Sequence, residues 1–149
     1  MKLAKALKLK NRLAGQLEAL KVRLRVNNSR VSTQPQQYDT KEVLGQITVA
    51  RTELLKVKTA IAAANVVIYD KIFLMAELKG MIKALQELET KEGMFQEGGG
   101  YAEAARVTTY VAQINRADAD KEIKSLEDQV QVLQDAVDDF NGTTDVGLD

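Results

Sequence analysis

The feature that most constrains this chain is a run of apolar residues, Val43, Ile47, Ala50, Leu54, Val57, Ile61 and Ala64, separated by alternating steps of four and three. Residues at those steps fall on one side of an α-helix and make a narrow seam. A helix of roughly 25 residues is about 37 Å long, and such a seam is stable only when another element covers it. Asp39, with Glu42 three positions later, supplies a capping box at its start, where a side-chain oxygen accepts an orphan backbone N–H. Upstream, Leu3, Ala6, Leu13, Leu17, Leu20 and Leu24 repeat the spacing with Lys10 as the one polar entry, predicting a helix over about 2–26. Between the two lies NNSRVSTQPQQY, 27–38, whose Asn, Ser and Pro residues favour turns and forbid a continuous helix. Two long helices joined by a short linker are expected to fold back antiparallel, seam against seam.

Past Ala64 the pattern changes. A heptad track can be drawn through Ala64, Ile68, Met75, Leu78, Ile82 and Leu85, with Lys71 out of place, which would continue the helix. Against continuation, Val66, Val67, Ile68, Ile72 and Phe73 form a dense block of strand-favouring residues, and Asn65 is suited to a left-handed helix cap. The reading adopted is a break: helix over 40–65, a short extended segment or small hairpin around Tyr69-Asp70-Lys71 at 66–73, and a third helix over 74–92 on Leu74, Leu78, Met81, Leu85 and Leu88. Gly93 and the glycine run at 98–100 then interrupt regular structure, giving a flexible loop at 96–101. RVTTYVAQI, 106–114, has strand composition and is expected to pair with 66–73. Asn115 caps a fourth helix, 116–140, with the seam Ile123, Leu126, Val130, Leu133, Val137 and Phe140, stopped by Asn141-Gly142.

Composition removes most chemistry. Cysteine, histidine and tryptophan are absent, so disulfides, thiol nucleophiles, imidazole bases and thiolate or imidazole metal ligands are excluded. Gly98-Gly99-Gly100 lacks the Lys-Ser/Thr of a phosphate loop. The acidic groups Asp118/Asp120/Glu122 and Asp135/Asp138/Asp139 lack calcium-loop spacing and read as solvated helix faces. Tyr101, Arg106, Tyr110 and Asn115 offer no nucleophile–base pair. No catalytic, cofactor or metal site is assigned.

The 21 basic and 21 acidic residues cancel overall but are segregated. Residues 1–30 carry nine Lys/Arg against Glu18 alone, a net of +8, whereas 115–149 carry three against ten, a net of −7. Lys5, Lys8, Arg12, Arg23 and Arg25 are therefore the candidate contacts for a polyanion. Pairing with the acidic end is the reading preferred over nucleic acid or membrane. It places Lys2, Lys5 and Lys8 beside Asp135, Asp138 and Asp139, with the first and last helices antiparallel.

The opening MKLAKALKLKNRL, the IAAAN closing the second helix and the ending SLEDQVQVLQDAVDDFNGTTDV resemble the small bacterial proteins called septicolysin-like. The likeness runs in order along nearly the whole chain. Two places depart from that pattern: Tyr69-Asp70-Lys71 stands where an Asp-Gly turn is usual, and Gly142 where a Trp usually follows the Asn. The resemblance implies a helical, self-associating protein without an assigned activity.

These readings combine into one expectation. The chain is a single mainly α domain, 1–149, of four amphipathic heptad-bearing helices in an antiparallel bundle or coiled coil, with a small β-hairpin. It is cytoplasmic, is not an enzyme, and binds copies of itself. The packing and oligomer seams are Leu13, Leu17, Leu20, Leu24, Ile47, Leu54, Val57, Ile61, Leu126, Val130, Leu133 and Val137.

Overall fold

The structure, a computed structural model, describes residues 1–101 and 104–148. It is mainly helical, with one two-stranded antiparallel sheet. Among the described residues there are three long helical segments, not four. They are α1 (Leu3–Asn27), α2 (Thr40–Gln86, 47 residues) and α3 (Arg116–Thr143). Strands β1 (Gly93–Glu97) and β2 (Arg106–Tyr110) lie between α2 and α3.

The expected break at Asn65 does not occur. Asn65 has φ −73° and ψ −12°, and the chain passes through a single 3₁₀ turn, Val66–Ile68, into Tyr69–Gln86. Ile68 lies seven residues after Ile61 and is buried like it, so the seam itself continues through the junction. Strand propensity costs a helix only a few tenths of a kcal/mol per β-branched residue. Ending the helix would instead orphan four carbonyls and four N–H groups. The C-terminal end comes earlier than expected, at Gln86, where Leu88 turns in to pack with Leu85 and the Glu89 carboxylate accepts the Lys91 N–H at 3.2 Å.

The partner of β2 is likewise not the 66–73 segment. It is β1, in the register Phe95↔Thr108 and Glu97↔Arg106. Gly93 and Gly98, with φ of 101° and 83°, bound β1 in conformations that side chains with a Cβ rarely adopt.

The chain divides into two compact units, Met1–Tyr69 with Val137–Asp149, and Asp70–Ala136. In the first, Leu3, Ala6 and Leu13 of α1 pack with Leu54, Val57 and Ile61 of α2, and Val146 and Leu148 complete the cluster. Arg23 lies 4.7 Å over the Tyr38 ring, so the end of α1 lies beside the start of α2 and the two run antiparallel. The Asp39 carboxylate caps α2, accepting from Lys41 N and Glu42 N at 2.9 and 3.4 Å. The start of α1 is held by the segment after α3. Leu3 N donates to Thr144 O at 2.8 Å, and Lys2 Nζ reaches Asp145 at 2.7 Å. That pairing, with the desolvation it entails opposing it, holds the Asp145 carboxyl below the usual range. The acid that meets Lys2 is thus Asp145, beyond the helical acids that the charge pattern singles out.

In the second unit, Leu85, Ile123 and Leu126 form the core cluster, flanked by Leu78, Ile82 and Leu88. Asn115 caps α3 as expected, its Oδ1 accepting Asp118 N at 2.8 Å. Arg116 donates to Leu85 O at 3.1 Å while pairing with Asp120 at 2.8 Å. The Leu85 carbonyl also accepts Leu88 N at 3.3 Å, so the guanidinium is its second donor, and a cation at a helix C-terminus suits the helix dipole.

With Asn65 inside a helix, substitution there follows helix propensity. Asn65→Ala is expected to be the most stable and Asn65→Gly the least, spanning about 1 kcal/mol in urea denaturation. A glycine variant as stable as the parent would show a left-handed cap instead.

Candidate interaction surfaces

The residues read from sequence as seams fall into two groups. Leu13, Leu54, Val57, Ile61, Leu126 and Val137 are buried within the chain itself. Leu17, Leu20, Leu24, Ile47, Val130 and Leu133 are half-buried. The first group is therefore committed to intramolecular packing, and any surface for a partner lies elsewhere.

One such surface is a groove in the second unit. Leu74 and Leu78 of α2 face Val132 and Leu133 of α3 across an opening of about 500 Å³, with Ser125, Asp128 and Gln129 as its polar wall. Asp128 is held by Lys124 Nζ at 2.6 Å, an i,i+4 pair that raises the lysine's pKa through its hydrogen bond and charge. Leu74 is 51% exposed and Val132 68% exposed, so the apolar rim stands in water. Helix α2 as a whole includes an 18-residue stretch of mean hydropathy 1.5 of which 11% is buried. By length and composition that stretch could also cross a membrane.

The basic residues of α1 separate as well. Lys5, Lys8 and Arg12 line a shallow hollow with Met1 and Leu9, and none forms an ion pair among the described residues. Arg23 is stacked on Tyr38, and Arg25 is exposed. The structure thus brings three of the five candidate polyanion contacts together.

A third cluster, unforeseen from sequence, occupies one face of the hairpin. Phe95 and Tyr110 meet edge to face, with ring centroids 5.7 Å apart, and Lys91 Nζ lies 4.4 Å from the Phe95 centroid and 4.0 Å from that of Tyr110. Lys91 also pairs with Glu97 at 3.6 Å. The Tyr110 hydroxyl donates to Glu97, which lowers the carboxyl pKa and raises that of the phenol. The parity of strand positions offers a clue in the sequence, since Phe95, Glu97, Thr108 and Tyr110 share a face once β1 pairs with β2. Such an arrangement stiffens a hairpin.

No family model, curated protein or solved structure matches this chain. Among the described residues no group of three Asp or Glu side chains stands close enough to hold a metal ion.

In Tyr110→Phe the Glu97 carboxylate loses its main stabilising donor. Its titration, followed by NMR, is expected to move up in pH, whereas Thr109→Ala on the opposite face leaves it in place. An unmoved Glu97 titration would remove the phenol from the account.

Proposed function

We propose that this protein is a non-enzymatic helical scaffold that self-associates through the groove between α2 and α3. The supporting observation is the mismatch in the second unit between its small buried cluster and the open apolar rim of Leu74, Leu78, Val132 and Leu133. A unit this small seldom reaches stability on a core of three large side chains, and association is a common remedy. A second helix pair laid in the groove completes a four-helix arrangement and removes the apolar rim from water. The likeness to the septicolysin-like proteins points the same way.

Light scattering at micromolar concentration tests this. The parent is expected at a multiple of the chain mass, and Leu74→Glu/Val132→Glu at or near the mass of one chain with its helix content kept. A parent of single-chain mass would overturn the reading.

The second reading is polyanion binding through Lys5, Lys8 and Arg12, favoured by their lack of ion-pair partners among the described residues. Because each phosphate contact releases counterions, gel-shift affinity for duplex DNA would fall steeply with salt, and Lys8→Glu/Arg12→Glu would flatten that slope by about two units. Binding with no salt dependence excludes it.

A further inference from the structure

Over residues 43–66, helix α2 has two faces of different fate. Val43, Leu54, Val57 and Ile61 are buried. On the opposite side Thr48, Thr52, Leu55, Thr59, Ala62 and Val66 recur at steps of four and three, and every one is exposed, Leu55 by 63% and Val66 by 67%. No charged residue interrupts this second track. Its threonines are less polar than their identity suggests. The Thr48 hydroxyl donates to Leu44 O at 3.1 Å and that of Thr52 to Thr48 O at 3.0 Å, so at these two positions the donor is spent within the helix and the methyl group and oxygen lone pairs remain.

Heptad geometry places the flanks. With Thr52, Thr59 and Val66 at one seam position and Thr48, Leu55 and Ala62 at the other, Arg51 and Lys58 border one side and Lys56 the other. All three are exposed, and none has an ion-pair partner among the described residues. Two copies of α2 joined by this face would therefore oppose like charges in either direction. An antiparallel pair sets Arg51 and Lys58 against their own counterparts, and a parallel pair sets Arg51 against Lys56. An anionic bilayer would satisfy the cations, but Thr48, Thr52, Thr59 and Ala62 provide little of the aromatic and long aliphatic bulk that an interfacial helix inserts.

The geometry points to a heterotypic partner: this face docks an acidic amphipathic helix of another protein. Its large apolar residues fill the shallow track, and its Glu or Asp residues meet Arg51, Lys56 and Lys58. The site shares no residue with the self-association groove and goes beyond that reading.

The test uses the full chain and a labelled synthetic peptide of four heptads, about 28 residues, with Leu at both seam positions and Glu on both flanks. Fluorescence anisotropy is expected to show binding that weakens as salt rises. Leu55→Glu, and separately Arg51→Glu/Lys58→Glu, are expected to lower affinity by about tenfold or more while circular dichroism keeps its helical signal. The matching peptide with Lys on its flanks is expected to prefer the charge-reversed chain. Equal binding of both peptides by the parent, or unchanged binding by Leu55→Glu, would overturn the proposal. So would a lower oligomeric mass for Leu55→Glu, which assigns the face to a second copy. Leu55-dependent binding to phosphatidylglycerol vesicles without binding to the peptide assigns it to a membrane and also overturns it. The groove variant Leu74→Glu/Val132→Glu is expected to bind the peptide as the parent does, so loss of self-association and loss of docking read out separately.

Discussion

The burial of one helical seam against another is the constraint on which the first unit rests. Leu54, Val57 and Ile61 are spaced to face a single direction, and Leu3, Ala6 and Leu13 cover them because the 27–38 linker returns the chain alongside itself. Each large aliphatic side chain removed from water contributes about 1.5–3 kcal/mol, well above any local propensity term in these helices. The cluster is open where α1 begins, and Val146 and Leu148 close it. Backbone and charge follow the apolar contacts there, with Leu3 N on Thr144 O and Lys2 on Asp145. The exposed ion pair adds orientation more than stability.

Committing that seam to the interior decides what the molecule can offer outward. The residues with the strongest heptad signal are spent on folding, and those left at the surface are weaker in pattern: the rim of the α2–α3 groove, the threonine-bearing track of α2, and the cations of α1. Each suits a different partner, because the groove is apolar, the track is uncharged with basic borders, and the α1 hollow is basic. Each of these faces is carried on a helix, and the residue types that remain at the surface are aliphatic, hydroxyl-bearing and charged rather than imidazole or thiol. That combination supports the scaffold reading.

The hairpin shows how a marginal element is held together. Two strands alone are barely stable in water, and all five positions of β1 are exposed. Lys91, set against two aromatic rings and a carboxylate, ties the approach to β1 to β2 by contacts that need no buried core. Glycines with positive φ at either end let the chain enter and leave β1 at the required angles.

Much of this was legible in the sequence. The α1 span, the start of α3, the caps at Asp39 and Asn115, the linker and the antiparallel return of α2 on α1 follow from periodicity and from side chains that bond their own backbone, whereas α3 runs on through the expected stop at Asn141-Gly142 to Thr143. Those are short-range effects, fixed within a few residues. The tertiary structure decided the rest. Val66, Val67 and Ile68 are helical although β-branched, since their strand preference is worth only about a few tenths of a kcal/mol each and Ile68 is buried in that conformation. Residues 106–110 pair with 93–97 because strand composition names a strand but not its neighbour. The outward track of α2 carries no heptad of large apolar residues, and only the structure shows the hydroxyls of Thr48 and Thr52 bonded to the turn before them. Composition and spacing fix which faces are apolar, but only the packed chain determines which face another helix covers and which stays in water.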